Sequence, residues 1–366
     1  MRLPLVRIFS LLLILGLVFN CRSPIQDTKA SLTVKNLNGE AIQIDSLQQF
    51  IRTAMKEAGA PGLSMAIIND GKIVYHTVEG YADVENEIPV TEQTIFEGAS
   101  MSKPLFAYLI MTLVDDGKLN LDKPLYQYLE FPEIAEDERY KKITARMVLS
   151  HTTGFPNWRR SQPEGKLRIQ FEPGLAYQYS GEAYQYLAQV AAHILGTDYR
   201  GLGDYFQERV AKPTRMLPSN FFPDSAILAY KAIPYLNDKR MEWIKFPPQF
   251  GAAYGIHAEA VGFSNWMIAL MNEQGLQKES FEALFEAQVP LPPDDYLAAA
   301  GVKDWTLGFA KAEIGGHTLY AHTGKNPGFS GLFLLSREQD WGYVMFANAN
   351  NVVGFEMEVF RYLNGF

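Results

Sequence analysis

Cysteine is almost missing from this chain: Cys21 stands alone among 366 residues. A single thiol excludes an intramolecular disulfide and a thiolate zinc cluster. Histidine is scarce too, six in all, and none falls in an H-E-x-x-H or comparable ligand spacing, so no metal and no cofactor is expected. No serine sits in a G-x-S-x-G elbow, which counts against an α/β-hydrolase. The basic residues form no stripe and the net charge is −8, so nucleic acid is not an expected partner. Beyond the first twenty residues no apolar run approaches the about 20 residues that a membrane-spanning helix needs.

What is present begins at the N-terminus. Arg2 and Arg7 precede an apolar run from Ile8 to Phe19, and Asn20-Cys21 follows. A positive start before a short apolar stretch reads as a secretory signal over residues 1–20, so the protein is expected to be exported to the periplasm or cell envelope. Cys21 stands where a bacterial lipoprotein carries its lipidated first residue, yet Val18-Phe19-Asn20 departs from the small-residue pattern that precedes such a site. Two readings stand: a lipid tether on Cys21, or an ordinary signal with an incidental cysteine. Residues 21–40 read as a polar tether and 41–366 as one large domain, since 47% hydrophobic content supplies a sizeable core.

Periodicity sorts that domain. Leu47, Ile51, Ala54 and Met55 recur at helical spacing and stop at Gly59-Ala60-Pro61-Gly62. Leu63 to Ile68 and Lys72 to Val78 flank Asn69-Asp70-Gly71, a hairpin signal. Helices are expected across Leu105–Val114, Tyr184–Leu195 and Phe263–Met271. Strands are expected at Thr306–Ala312, His317–His322, Phe329–Leu335 and Gly342–Ala347, and a last helix over Phe355–Leu363. Strands at both ends with helices between them predict an α+β fold. Its antiparallel sheet is built from about 41–98 and 290–366, and residues about 99–289 form an inserted, mostly helical region.

Three motifs carry chemistry. Ser100-Met101-Ser102-Lys103 is an S-x-x-K; residues three apart share a helix face, so the amine can reach the hydroxyl. Pro104 is tolerated only near a helix start, which puts Ser100 at the positive end of the helix dipole. A serine hydroxyl attacks only when a base takes its proton. Tyr179-Ser180-Gly181 follows the Phe171-Glu172-Pro173-Gly174 turn, and His322-Thr323-Gly324 lies at a strand end.

In this order the motifs resemble the class C β-lactamase and penicillin-binding family, which also holds carboxylesterases and D-peptidases. Thr94-Ile95-Phe96, Leu149-Ser150-His151-Thr152-Thr153-Gly154 and Pro327-Gly328-Phe329-Ser330-Gly331 extend the resemblance over Leu47 to Phe360. It implies a serine β-lactamase/transpeptidase-like fold and a small ester, amide or peptide substrate that acylates Ser100. Lys103 and Tyr179 would form the base system, with a positive Lys103 drawing the phenol toward ionisation. The backbone N–H groups of Ser100 and Lys325 would form the oxyanion hole. His322, Thr323, Gly324 and Gly181 would line the substrate site.

Two positions depart from the lactamase form, which usually carries asparagine at Gly181 and lysine at His322. Glycine donates no side-chain hydrogen bond, and histidine is mostly neutral at pH 7. Both departures point from carboxylate-bearing amides toward esters, although Lys325, Arg159, Arg160 and Arg168 are candidate substitutes for the missing cation. Tyr177, Tyr184 and Tyr186 rival Tyr179 as the base, His151 reads as structural, and Trp158 as a core residue or a pocket wall. A receptor for peptidoglycan-like or penicillin-like ligands, catalytically weak or inactive, is the alternative to a hydrolase.

Overall fold

Alternation along the central strands decides the layers. In Gly62–Asn69, Leu63, Met65 and Ile67 join one apolar core, whereas Ala66 and Ile68 join another on the opposite side. The same division recurs in Phe329–Ser336, where Leu332 and Leu334 oppose Phe333 and Leu335. In Trp341–Ala347, Tyr343 and Met345 oppose Val344 and Phe346. An antiparallel sheet usually leaves one face to water. Here helices cover both, so these three strands are buried along their whole length.

The computed structural model describes residues 33–243, 250–349 and 354–365; the expected signal, Cys21 and the first part of the tether lie outside them. Nine antiparallel strands form the main sheet. Their order is Val289–Pro290, Val302–Trp305, Ala310–Ile314, His317–Asn326, Phe329–Ser336, Trp341–Ala347, Gly62–Asn69, Lys72–Asp83 and Ile88–Pro89. The chain's two ends therefore meet at the pairing of Trp341–Ala347 with Gly62–Asn69. Helices Ile44–Ala58 and Phe355–Asn364 cover one face through Leu47, Ile51, Val359 and Phe360. Ala260–Met271 covers the other through Phe263, Trp266 and Met267, with Ser102–Asp115 and Gly181–Ile194 beyond it.

Local chemistry places the boundaries. Asp70 and Gly71 both have positive φ, 50° and 66°, the pair a two-residue hairpin turn of matching twist requires. Gly59 ends the first helix in the left-handed region at φ 64°. The strand expected from Thr306 to Ala312 is instead broken. Residues 306–309 form a turn closed by Thr306 N–H on the Phe309 carbonyl (2.9 Å), and a Cβ on Gly308 would lie 2.7 Å from Ala107 of the Ser102–Asp115 helix. The chain bends there because that helix leaves no room for a straight strand.

Within the span expected as a tether, the described residues from Thr33 on are folded onto the domain. Thr33–Lys35 pairs with Ala41–Gln43, Val34 and Leu37 are buried, and Leu37 N–H donates to Asn364 Oδ1 at 2.9 Å. The apolar residues of this segment dock it on the last helix. Within the mostly helical region, Ile256–Ala258 pairs with Phe96–Ala99, the strand leading into Ser100, in a separate two-stranded sheet.

Candidate active site

Ser100 follows Ala99, whose φ of 47° is unusual for a residue with a side chain, and precedes the helix that starts at Ser102. Ser102 ties this bend down: its hydroxyl donates to the Ala99 carbonyl at 2.6 Å and accepts the Ile256 N–H at 2.9 Å. One turn on, Lys103 is fully buried, with Nζ 3.0 Å from Ser100 Oγ and donating to the Ala253 carbonyl at 2.8 Å. Gln185 holds that acceptor in place, its amide donating to the Phe250 carbonyl (3.1 Å) and accepting the Ala253 N–H (3.3 Å).

Tyr179 reaches this pair from the other segment. Lys103 Nζ sits 4.6 Å from the centre of its ring, and the Ser100 hydroxyl acts on the phenol to favour its ionised form slightly. Tyr184 and Tyr186 are committed elsewhere, to the carbonyls of Leu149 and Leu129 at 3.1 and 2.9 Å. Tyr177 is half-buried against Trp305, ring centres 5.6 Å apart. Of the four tyrosines only Tyr179 meets both Ser100 and Lys103.

Burial drives the electrostatics. It pushes Lys103 well below the usual lysine range, and it raises Tyr179 well above a free phenol against a smaller lowering by Ser100. Burial thus disfavours the charged form of each group.

His322 completes the cluster. Its Nδ1 lies 2.6 Å from the Thr323 carbonyl and so carries the ring proton, which leaves Nε2 with a lone pair 3.5 Å from the Tyr179 oxygen. Burial, and then the neighbouring Lys103, lower it to about 3. The His322-Thr323-Gly324 motif sits inside one continuous strand rather than at a strand end. Past Ala321 that strand outruns the Ala310–Ile314 neighbour and keeps a ladder on one side only. A Cβ on Gly324 would collide with the Gly98 carbonyl, so glycine is what lets this strand lie against the Phe96–Ala99 strand that leads into Ser100.

His151, read from sequence as structural, is fully buried and clasps the tyrosine. Its ring stacks on Tyr179 at 4.3 Å, its Nδ1 accepts the Ser180 N–H at 3.1 Å, and its carbonyl accepts the Gln178 N–H at 2.7 Å. Sequence reasoning also missed a buried ion pair next to the nucleophile. Glu97 bonds Lys231 at 2.6 Å through one oxygen and Asn326 Nδ2 at 2.6 Å through the other, joining the strand before Ser100 to the end of the His322 strand. The only sequence signal was an acid three residues ahead of the serine.

The candidate cations separate clearly. Arg159 is held by Glu182 (2.9 Å) and Glu133, and Arg168 lies 3.8 Å from Glu164. Lys325 is exposed, and Arg160 lies over the Trp158 ring at 5.8 Å.

The covered antiparallel sheet and its helices form the serine beta-lactamase and penicillin-binding protein fold, which brings together a serine, a lysine one helical turn on and a phenol from a second segment. The chain belongs to the Beta-lactamase family, whose model matches residues 47–363. It is 25% identical over 326 residues to the putative penicillin-binding protein PbpX of Bacillus subtilis, covering 85% of this chain and 76% of that one. It is 37% identical over 118 residues to the mitochondrial serine beta-lactamase-like protein LACTB of Bos taurus, a match spanning 32% of this chain and only 21% of that relative's length. A solved class C beta-lactamase superposes with a TM-score of 0.74 at 20% identity, covering 87% of this chain and 94% of the other.

Proposed function

We propose that the protein is an acyl-enzyme hydrolase acting through Ser100 on esters or short peptides, with weak or no β-lactamase activity. The observation that carries this reading is the sealed Lys103 amine 3.0 Å from Ser100 Oγ. A neutral amine has a lone pair to receive the serine proton as the oxygen attacks the substrate carbonyl. The oxyanion would be met by the N–H groups of Ser100 and Lys325, a contribution of about 3–4 kcal/mol per donor elsewhere. Tyr179 would then relay that proton from Lys103 to the leaving group as its bond to the acyl carbon breaks, accepting one proton as it gives its own, with His322 Nε2 3.5 Å from the phenol oxygen. Water would then release the acyl group by the same relay in reverse.

Substrate preference follows from two surfaces. Gly181 offers no side-chain amide, and His322 is neutral where a fixed cation would hold a carboxylate. The test is labelling by a fluorophosphonate together with turnover of a chromogenic cephalosporin and a short p-nitrophenyl ester. Wild type should label and Ser100→Ala should not, and kcat/KM should favour the ester. A cephalosporin turned over faster would overturn the preference; a wild type that neither fluorophosphonate nor penicillin labels would leave a receptor.

A further inference from the structure

Gly181 lies two residues beyond Tyr179, and the space a side chain there would need is already filled. A Cβ on Gly181 would stand 2.7 Å from Cζ2 and Cη2 of the Trp158 indole. Trp158 is partly exposed, and its other edge meets Tyr254 in a T-shaped contact with ring centres 5.7 Å apart. Tyr254 follows Ala253, whose carbonyl holds Lys103. The two rings thus bridge the segment carrying Tyr179 and the segment that positions the lysine.

The indole is fixed in place. The carbonyl of Asn157 accepts the N–H groups of Gly181 and Glu182 at 3.0 and 3.1 Å, and Asn157 Oδ1 also accepts from Gly181 at 3.0 Å. On the other side of Trp158, the Arg159 N–H and Nε bond Glu182 at 2.8 and 2.9 Å. With both neighbours fastened to the first turn of the Gly181–Ile194 helix, the backbone that carries the ring is held against that helix start.

We propose that Trp158, with Tyr254, is the specificity-determining wall of the acyl pocket, and that it selects apolar acyl chains. This rests on the acyl-enzyme reading above. A rigid aromatic surface gains from each methylene laid against it and gives nothing to a polar amide that leaves water. The preferred substrates are accordingly esters whose acyl group is aliphatic or aromatic and several carbons long.

The experiment measures kcat/KM for p-nitrophenyl acetate, butyrate and hexanoate with wild type, Trp158→Ala and Trp158→Phe. Enzyme concentration is fixed by fluorophosphonate titration of Ser100. Each fully buried methylene is worth roughly fourfold, so two give about sixteenfold when wholly covered and about tenfold when the indole covers them incompletely. The hexanoate-to-acetate ratio should fall about tenfold in Trp158→Ala, chiefly through KM, and Trp158→Phe should retain most of it. A ratio within about twofold of wild type in an alanine variant that still titrates would overturn the inference alone. A wild type that does not titrate would overturn the hydrolase reading and this inference with it.

Discussion

Two helices of fourteen residues begin close to one another, Ser102–Asp115 behind Ser100 and Gly181–Ile194 behind Ser180, and the two serines do opposite work. Ser180 is a structural cap: its buried hydroxyl accepts the Ala183 N–H at 3.1 Å and donates to the Pro156 carbonyl at 2.9 Å. Ser100 caps nothing. Its helix has no side-chain cap, and the bend before it is held by Ser102 and by the strand pairing of Phe96–Ala99. A hydroxyl becomes available for chemistry when its neighbours take over the holding. That division separates a nucleophile from a cap that looks alike in sequence.

The sharpest way to break this comparison is to remove each hydroxyl in turn. Ser100→Ala should lower kcat/KM by on the order of 10⁴ or more while the melting temperature moves little. Next in size is the scaffold around Ser100. Glu97→Gln leaves Lys231 charged and buried without its partner, at a cost of about 3–5 kcal/mol, read from chemical denaturation. Ser180→Ala should cost about 1–2 kcal/mol of stability, from the lost cap and the stranded Pro156 carbonyl, and leave Ser100 open to fluorophosphonate. If Ser180→Ala abolished labelling at unchanged stability, or Ser100→Ala melted the protein, the contrast would fail.

The smallest effect concerns pH. Burial lowers His151, His257 and His322 in the folded chain, His257 to about 4 and His322 to about 3. The unfolded chain then takes up protons that the folded chain refuses, so stability falls as pH drops from about 6.5 toward those values. Each such histidine contributes a slope of about 1.4 kcal/mol per pH unit. Glu259 works the other way: raised to about 7 by burial, it favours folding at low pH and loses that contribution as pH rises through about 7. Urea unfolding of wild type and His257→Asn at pH 7, 6 and 5 should show the steeper decline in wild type.

Much of this arrangement was legible because it is written in short stretches. The Asp70-Gly71 turn, the glycines that stop helices and the one-turn spacing of Ser100 and Lys103 are local facts. Interactions across long separations were not legible. Glu97 meets Lys231 and Asn326 only after the chain has folded back on itself. Trp158 and Gly181 become neighbours because hydrogen bonds fasten the Asn157 segment to a helix start, which no periodicity announces. The weight of burial on Lys103 and Tyr179 was hidden for a related reason: a charge beside a charge looks stabilising in one dimension, and only the fold shows the residues that enclose the pair.

That enclosure reaches beyond proton transfer. With Lys103 wholly shut away from solvent, counter-ions cannot gather around it, so added salt has little purchase on the reacting pair. Reagents that acylate the surface lysines would pass it by. The amine answers only to what enters by way of Ser100, and the protein's own packing decides which molecules those are.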